Sequence, residues 1–424
     1  MTPVVEQGRG TSPSPKPPPT RLGLVGAGRF GTFLAEVAAT LPGVRLVAVA
    51  DVSLPAASAL ADPIGAVAYD GWPDLLTDDA VDAVLVATPP AEHARIAIAA
   101  LEAGKHVLCE KPLALDERGA GAVVDAVERS GRVLVVDHVL RYNPILRALL
   151  RLQDDLLGPV RRFCFENDAS DEDLGPDHWF WDDALSGGIF VEHGVHFFDA
   201  ATMLISHPAD SVAAVSARRP GGPVDLVSAT CTHGEDVLAT HTHSFTHAHR
   251  CERQLMRLDH GAAEVRVEGW IPVEAVIDAW TDDAGVRVTE ELPGRAAELL
   301  AVDGYRLDHR CGIDVSVRRH AGEPHARGRG KDLNLPHHVR VTLTLGGHDA
   351  KPVAYAESVR AALCDLTTCI ATGAPPYSGV REGAAAVAVA AAATRAATEP
   401  TPLVEPTPLV EPTPPVEPVE TPTR

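Results

Sequence analysis

Residues 22–31 read Leu22-Gly23-Leu24-Val25-Gly26-Ala27-Gly28-Arg29-Phe30-Gly31, an apolar run ending in G-x-G-x-x-G. The run predicts a strand buried on both faces. Phe30, Leu34, Val37, Ala38 and Leu41 then recur at helical spacing, so the glycines sit between strand and helix. Gly26 permits the tight turn, Gly28 lets main chain approach a pyrophosphate, and Gly31 lets the helix pack on the strand. The helix N-terminus offers free N–H groups and a positive dipole end to phosphate. Ala27, Arg29 and Phe30, which fill the intervening positions, belong to the same expected cofactor contact. About twenty residues beyond Gly31, Asp51 ends the next apolar run, where a carboxylate bonds ribose hydroxyls. Val52-Ser53-Leu54 supplies no arginine for a 2′-phosphate, so NAD is expected in preference to NADP.

Outward from this turn, apolar runs at 44–50, 83–88, 106–110 and 132–136 alternate with helical patterns such as Ile96, Ala97, Ala100 and Leu101. Strict alternation predicts βαβ units and a doubly wound parallel sheet, an α/β Rossmann arrangement. After about residue 155 the alternation stops. Period-2 segments at 160–167, 240–248 and 263–270 predict an α+β domain with an open, mostly antiparallel sheet. The expected organisation is a proline-rich tail (1–20), a dinucleotide-binding domain (21–150), a substrate and oligomerisation domain (151–398) and a second tail (399–424). Residues 12–20 are SPSPKPPPT, and from Glu399 the unit EPTPLV repeats, so both tails are expected to be extended and solvated.

The 424 residues carry 37 Lys+Arg against 58 Asp+Glu, a net charge of −21, which argues against general binding to nucleic acid or anionic membranes. No apolar run approaches the ~20 residues needed to span a bilayer. The N-terminus lacks the apolar core of a secretory signal. Seven scattered cysteines form no C-x-x-C pair, so neither a zinc ribbon nor a disulfide framework is expected. A reduced, cytoplasmic protein is the expectation.

Two segments carry candidate chemistry. Glu110-Lys111-Pro112 ends a buried strand, and in doubly wound sheets ligands lie beyond the carboxyl ends of strands. Lys111 is therefore a candidate donor to a substrate oxygen. In SGGIFVEHGVHFFDAATML (186–204), Glu192, His196 and Asp199 fall at i, i+4 and i+7, one face of a regular helix. A carboxylate one turn before a histidine orients its ring and favours its charged form, which suits an acid/base. A metal site of Glu192, His193 and His196 is disfavoured, because adjacent helical residues point apart.

The order GAGRFG, ATPPAEH, AGKHVLCEKPLAL, HVLRYNP and SGGIFVEHGVHFFD resembles the Gfo/Idh/MocA oxidoreductases over the first 200 residues. The resemblance implies a Rossmann domain, then an α/β domain whose open sheet serves as an oligomer interface. It also implies NAD(P) chemistry on CH–OH groups of sugars, polyols or related carbonyl compounds. Gly26, Gly28 and Gly31 match the pyrophosphate loop, Asp51 the ribose contact, and Thr88, Pro89 and His93 the segment lining the cofactor. Glu110 and Lys111 match the family's Glu-Lys-Pro, with Lys111 the expected catalytic lysine. Arg141 matches a segment bordering the cleft, among the cofactor contacts, and His196 the catalytic histidine. Glu192 stands where the family has Asp; its extra methylene moves the carboxylate by about 1 Å, a shift that can cost around 10²-fold in rate. Lys111, Trp179, Glu192 and His196 are the expected substrate contacts.

Further readings stand beside these. His241, His243, Phe245, His247, His249 and Cys251 share one parity, so a strand would place them on one face. A solvated or interface-facing surface is expected there in preference to a metal site, because alternate side chains are too far apart to share an ion. Trp179 and Trp181 suit either stacking on a sugar ring or anchoring a loop. The acidic stretch 168–177 would disfavour anionic substrates. Two rival activities, NAD-dependent glycoside cleavage and non-catalytic NAD(H) sensing, use the same fold.

Overall fold

The computed structural model describes residues 19–399 except 320–324, 329 and 348–349; the expected proline-rich tails lie almost wholly outside these. Six parallel strands, β1 (Thr20–Val25), β2 (Val44–Asp51), β3 (Val67–Asp70), β4 (Ala83–Val86), β5 (His106–Cys109) and β6 (Leu134–Val136), form the first sheet. Their order is β3-β2-β1-β4-β5-β6. The chain winds to one side through β2 and β3, then crosses over to continue through β4, β5 and β6. The reversal leaves a crevice between β1 and β4, the place where doubly wound sheets bind ligands. Leu22, Leu24, Val84, Leu85, Val107 and Leu108 are fully buried, as strands covered on both faces require. Only β3, four half-exposed residues, carries too little apolar signal to be expected from sequence.

The second sheet has nine strands: β7 (Arg162–Ser170), β8 (Ser211–Arg218), β9 (Val224–His233), β10 (Val237–His247), β11 (Arg253–Asp259), β12 (Ala263–Glu268), β13 (Glu274–Thr281), β14 (Cys311–Arg319) and, after a separate hairpin of β15 (His325–Gly328) and β16 (Lys331–Asn334), β17 (His337–Leu345). The order is β14-β17-β13-β12-β11-β7-β10-β9-β8, antiparallel throughout except between β7 and β10. Alternate residues Phe163, Phe165, Met256, Leu258, Val265, Val267, Val339 and Val341 are buried, as period 2 dictates. The helix Val195–Ile205 covers this inner face, and Phe165 stacks on Phe197 with ring centroids 3.5 Å apart.

Two C-terminal helices, Lys351–Thr372 and Val380–Thr398, return to the first domain. Val136 N–H in the edge strand β6 donates to Ser378 O at 2.8 Å, and Val135 bridges Gly379. A Cβ on Gly383 would lie 2.7 Å from the Val136 side chain, so the helix seats closely on that edge. Among the described residues no helix is long and apolar enough to cross a membrane.

Candidate active site

Gly26 has φ of +101°, and a Cβ there would lie 2.5 Å from Ala87 O in the loop after β4. A Cβ on Gly31 would lie 1.9 Å from Gly26 O. Gly28 is different, with nothing within 4 Å of an added Cβ, so its side faces the open crevice. Asp51 folds back over the turn. Its Oδ2 accepts from Ala27 N–H at 2.7 Å and its Oδ1 from Ser53 N–H at 2.8 Å. A groove of about 880 Å³ runs past Gly26, Gly28, Asp51, Val52, Trp72 and Pro89. Arg95 also lines it, but Glu92 pairs with its guanidinium, which lies over Trp72. Open space at Gly28 beside the free N–H groups of the helix Arg29–Ala39, with Asp51 alongside, fits a dinucleotide.

Ala87 and Thr88 line both this groove and a second cavity of about 770 Å³, so the two adjoin at the loop after β4. Phe30, His93, Glu110, Lys111, Trp179, Glu192, His193, His196, Trp270 and Tyr355 complete the second cavity. The His93 ring lies between two main-chain oxygens, Nδ1 2.7 Å from Pro112 O and Nε2 2.7 Å from Thr88 O, and donates its N–H to one of them. It therefore ties the loops after β4 and β5 together. Glu110 N–H continues the ladder to Val86 O, which delivers Lys111 to the crevice as expected for a strand-end residue. Lys111 Nζ donates to Glu192 Oε1 at 2.7 Å and to Glu192 O at 2.9 Å.

The segment carrying Glu192 departs from the expected regular helix. Phe190–Gly194 forms a wide π-type turn before the α-helix starts at Val195. The wider turn defeats the i, i+4, i+7 reading. Glu192 bonds Lys111, Asp199 bonds Arg141, and His196 Nδ1 has no protein partner, so no carboxylate orients that imidazole. It also brings Glu192, His193 and His196 into one cavity, although adjacent residues were expected to point apart. Burial holds the His196 pKa well below the usual imidazole range, and burial followed by the Lys111 charge pushes His193 down to about 3. The charged imidazole expected at position 196 is thus replaced by a neutral one.

Arg141 does not line either cavity. Its guanidinium bonds Asp199, Nε at 2.8 Å and Nη2 at 2.8 Å, and lies over the Tyr377 ring, so it braces the lobes behind the site. Of the two tryptophans, Trp179 reaches the cavity, while Trp181 packs on Phe180 and Phe245 and donates to Leu174 O. Two acids of the loop pair with arginines, Asp168 with Arg253 and Asp171 with Arg219, and Glu172 lies 2.7 Å from His249 Nδ1.

The histidine face of β10 is neither solvated nor at an open surface. His241 and His243 are fully enclosed, against Phe163 and Phe198 and against Phe165 and His193 respectively. None of their four ring nitrogens has a protein partner. His249 and Cys251 lie in an exposed turn beyond the strand, off that face. Among the described residues no three His, Cys, Asp or Glu side chains converge as metal ligands. Trp270 and Tyr355, which wall the cavity edge-to-face with ring centroids 5.3 Å apart, escaped sequence reasoning because only the tertiary fold brings them to the site.

Known proteins share this architecture. A family model described as an oxidoreductase family with an NAD-binding Rossmann fold matches residues 20–138, and the GFO/IDH/MocA C-terminal domain matches residues 145–264. The chain belongs to the Gfo/Idh/MocA oxidoreductases. Within that family, the inositol 2-dehydrogenase of Rhizobium meliloti (strain 1021) is 33% identical over 204 residues, 46% of this chain and 58% of that protein. The scyllo-inositol 2-dehydrogenase (NAD(+)) of Bacillus subtilis (strain 168) is 29% identical over 195 residues, 45% of this chain and 56% of that one. The chain thus spans less than two thirds of the length of these curated relatives. A solved levoglucosan dehydrogenase, in complex with NADH and levoglucosan, shares the fold with a TM-score of 0.68 at 19% identity, over 89% of this chain and 97% of its own.

Proposed function

We propose that this Gfo/Idh/MocA member is an NAD-dependent dehydrogenase acting on a secondary alcohol of a sugar or polyol. The observation that carries the reading is that the glycine-turn groove adjoins, across Ala87 and Thr88, the cavity holding both Lys111 and His196. The relatives named as inositol dehydrogenases support the substrate class. Gly26, Ala27, Gly28, Arg29, Phe30 and Gly31 would hold the dinucleotide with Asp51, Thr88 and Pro89. Bound NAD would take up the hydride from the alcohol carbon.

His196, neutral through burial, accepts the hydroxyl proton as general base. The Lys111 ammonium, on a side chain only 15% exposed, donates to the same oxygen and stabilises the developing alkoxide. Glu192 holds the ammonium in place through Oε1, leaving Oε2 for a neighbouring hydroxyl. Trp179, Trp270 and Tyr355 offer apolar walls to a sugar ring. We place the enzyme in the cytoplasm as a homo-oligomer assembled through the outer face of the nine-stranded sheet, where Val215 is 67% and Trp280 45% exposed.

The test is incubation with NAD and a panel of polyols, sugars and glycosides, following NADH absorbance and products together. NADH formed in step with a ketone or lactone is expected. Product without net NADH would instead indicate glycoside cleavage. Cofactor binding without turnover on any substrate would indicate a sensor.

A further inference from the structure

Five acidic side chains are buried among the described residues: Glu110, Asp137, Asp199, Asp225 and Glu357. Three have an arginine. Arg141 bonds Asp199, Arg219 bonds Asp225 at 2.7 Å, and Arg306 bonds Glu357. Glu110 and Asp137 have none. Neither oxygen of Asp137 nor Oε1 of Glu110 receives a hydrogen bond from any donor; Oε2 of Glu110 accepts only the N–H of Lys111, at 3.2 Å.

The sheet sets these two acids side by side. Cys109 pairs with Val136 in the β5–β6 ladder, and Asp137 N–H donates to Cys109 O at 2.9 Å, so the next residues on each strand end are neighbours. Their carboxyl groups are within hydrogen-bonding reach of one another. Two dry carboxylates in contact cannot both be ionised, whereas one proton between them supplies the donor that both lack.

We propose that Glu110 and Asp137 share one proton at neutral pH and release it at alkaline pH, adding a second negative charge behind Lys111. Asp137, acting through Glu110, is thereby a positioning residue that keeps the lysine in its ammonium form. Burial, then the charge of Asp137, pushes Glu110 well above the usual carboxylate range, and burial pushes Asp137 up to about 6, the direction a shared proton requires. The groups facing the pair are few. Lys111 is the cation, with Glu192 on its far side. Cys109 on β5, Tyr142 and Tyr355 are all pushed up by burial and by the pair's charge or that of neighbouring acids, and remain neutral.

The role toward Lys111 rests on the proposed dehydrogenase reading; the shared proton does not. Infrared spectra of the full-length protein in deuterated buffer at neutral pH test the proton directly, because solvent-exposed carboxyls are ionised there. A protonated-carboxyl C=O band above the amide I envelope is expected. It should vanish in Asp137→Asn and in Glu110→Gln, where the new amide donates to the remaining carboxylate. No band in the wild type, or a band surviving in both variants, overturns the shared proton. For the positioning role, the alkaline limb of kcat/KM is expected to move to lower pH by about one unit or more in Asp137→Asn and to return in Asp137→Glu. An unmoved limb with only a lowered Tm overturns it. Failure of the dehydrogenase reading would show separately, as a wild type that turns over no substrate while the infrared result still stands.

Discussion

Lys111 and Glu192, 81 positions apart, meet across the crevice with Nζ 2.7 Å from Oε1, and the same ammonium also binds the Glu192 main-chain oxygen. The side chain of Glu192 is therefore long enough to reach the lysine from a wide turn. Shortening it to Asp withdraws the carboxylate by about 1 Å, and kcat/KM in Glu192→Asp is expected to fall by up to about 10²-fold. Steady-state kinetics on the accepted polyol measure it; an unchanged value would mean that this carboxylate does not hold the lysine during turnover.

Lys111→Ala and His196→Ala remove the groups assigned to the alcohol oxygen. Each should lower kcat by about 10²–10⁴-fold, the usual range for general acid–base and charge stabilisation. NAD affinity, read by calorimetry, should change little, because the glycine turn lies in the adjoining groove. Near-normal kcat in either variant would remove that residue from the mechanism.

Two alanine substitutions in the turn separate binding from folding. Gly28→Ala adds a methyl group to open space, so Tm should hold while NAD affinity falls by about tenfold or more as the methyl occupies phosphate volume. Gly31→Ala places its methyl 1.9 Å from Gly26 O and should lower both, with a stability loss of ~2–4 kcal/mol. Denaturation and titration of both variants check the contrast.

Burial depresses the pKa of His93, His138, His193, His196, His241 and His243 alike. The unfolded chain binds protons on these residues below about pH 6.5 while the folded chain does not, so stability rises with pH there. The stabilisation is complete above that range and is lost as pH falls through it, at up to ~1.4 kcal/mol per histidine per pH unit. Tm should therefore begin to drop near pH 6. His241→Leu, which removes two unpartnered nitrogens from a pocket of Phe163 and Phe198, should flatten the acid limb and raise Tm. A flat Tm from pH 8 to 5 in the wild type would contradict both expectations.

What could be read from sequence was what local spacing encodes. The glycine turn, Asp51 at its distance and Lys111 at a strand end each follow from a few contiguous residues, and β1, β2, β4, β5 and β6 from continuous apolar runs. The π-type turn was not legible, because no spacing in Phe190–Gly194 distinguishes it from the first turn of the helix that follows; the packing at Gly194 is close, a Cβ there lying 3.2–3.4 Å from Phe198, His243 and Phe190. The resemblance of HVLRYNP sets Arg141 among the cofactor contacts, whereas its buried partner Asp199, 58 residues away, holds it behind the site. The histidines of β10 read as surface because their alternation with Thr and Ser is polar on both faces. Their enclosure comes from the helix Val195–Ile205, which no local pattern announces.

The bond from Val136 N–H to Ser378 O means that the last strand of the first sheet is completed by residues about 240 positions downstream. On a ribosome adding ~5–20 residues per second, that edge would wait roughly 10–50 s for its cover. During this interval the nascent first lobe presents unsatisfied main-chain donors to its surroundings, the feature that recruits stray strands. Translation of this chain thus contains a window of vulnerability that closes only as the segment beginning at Ser378 emerges.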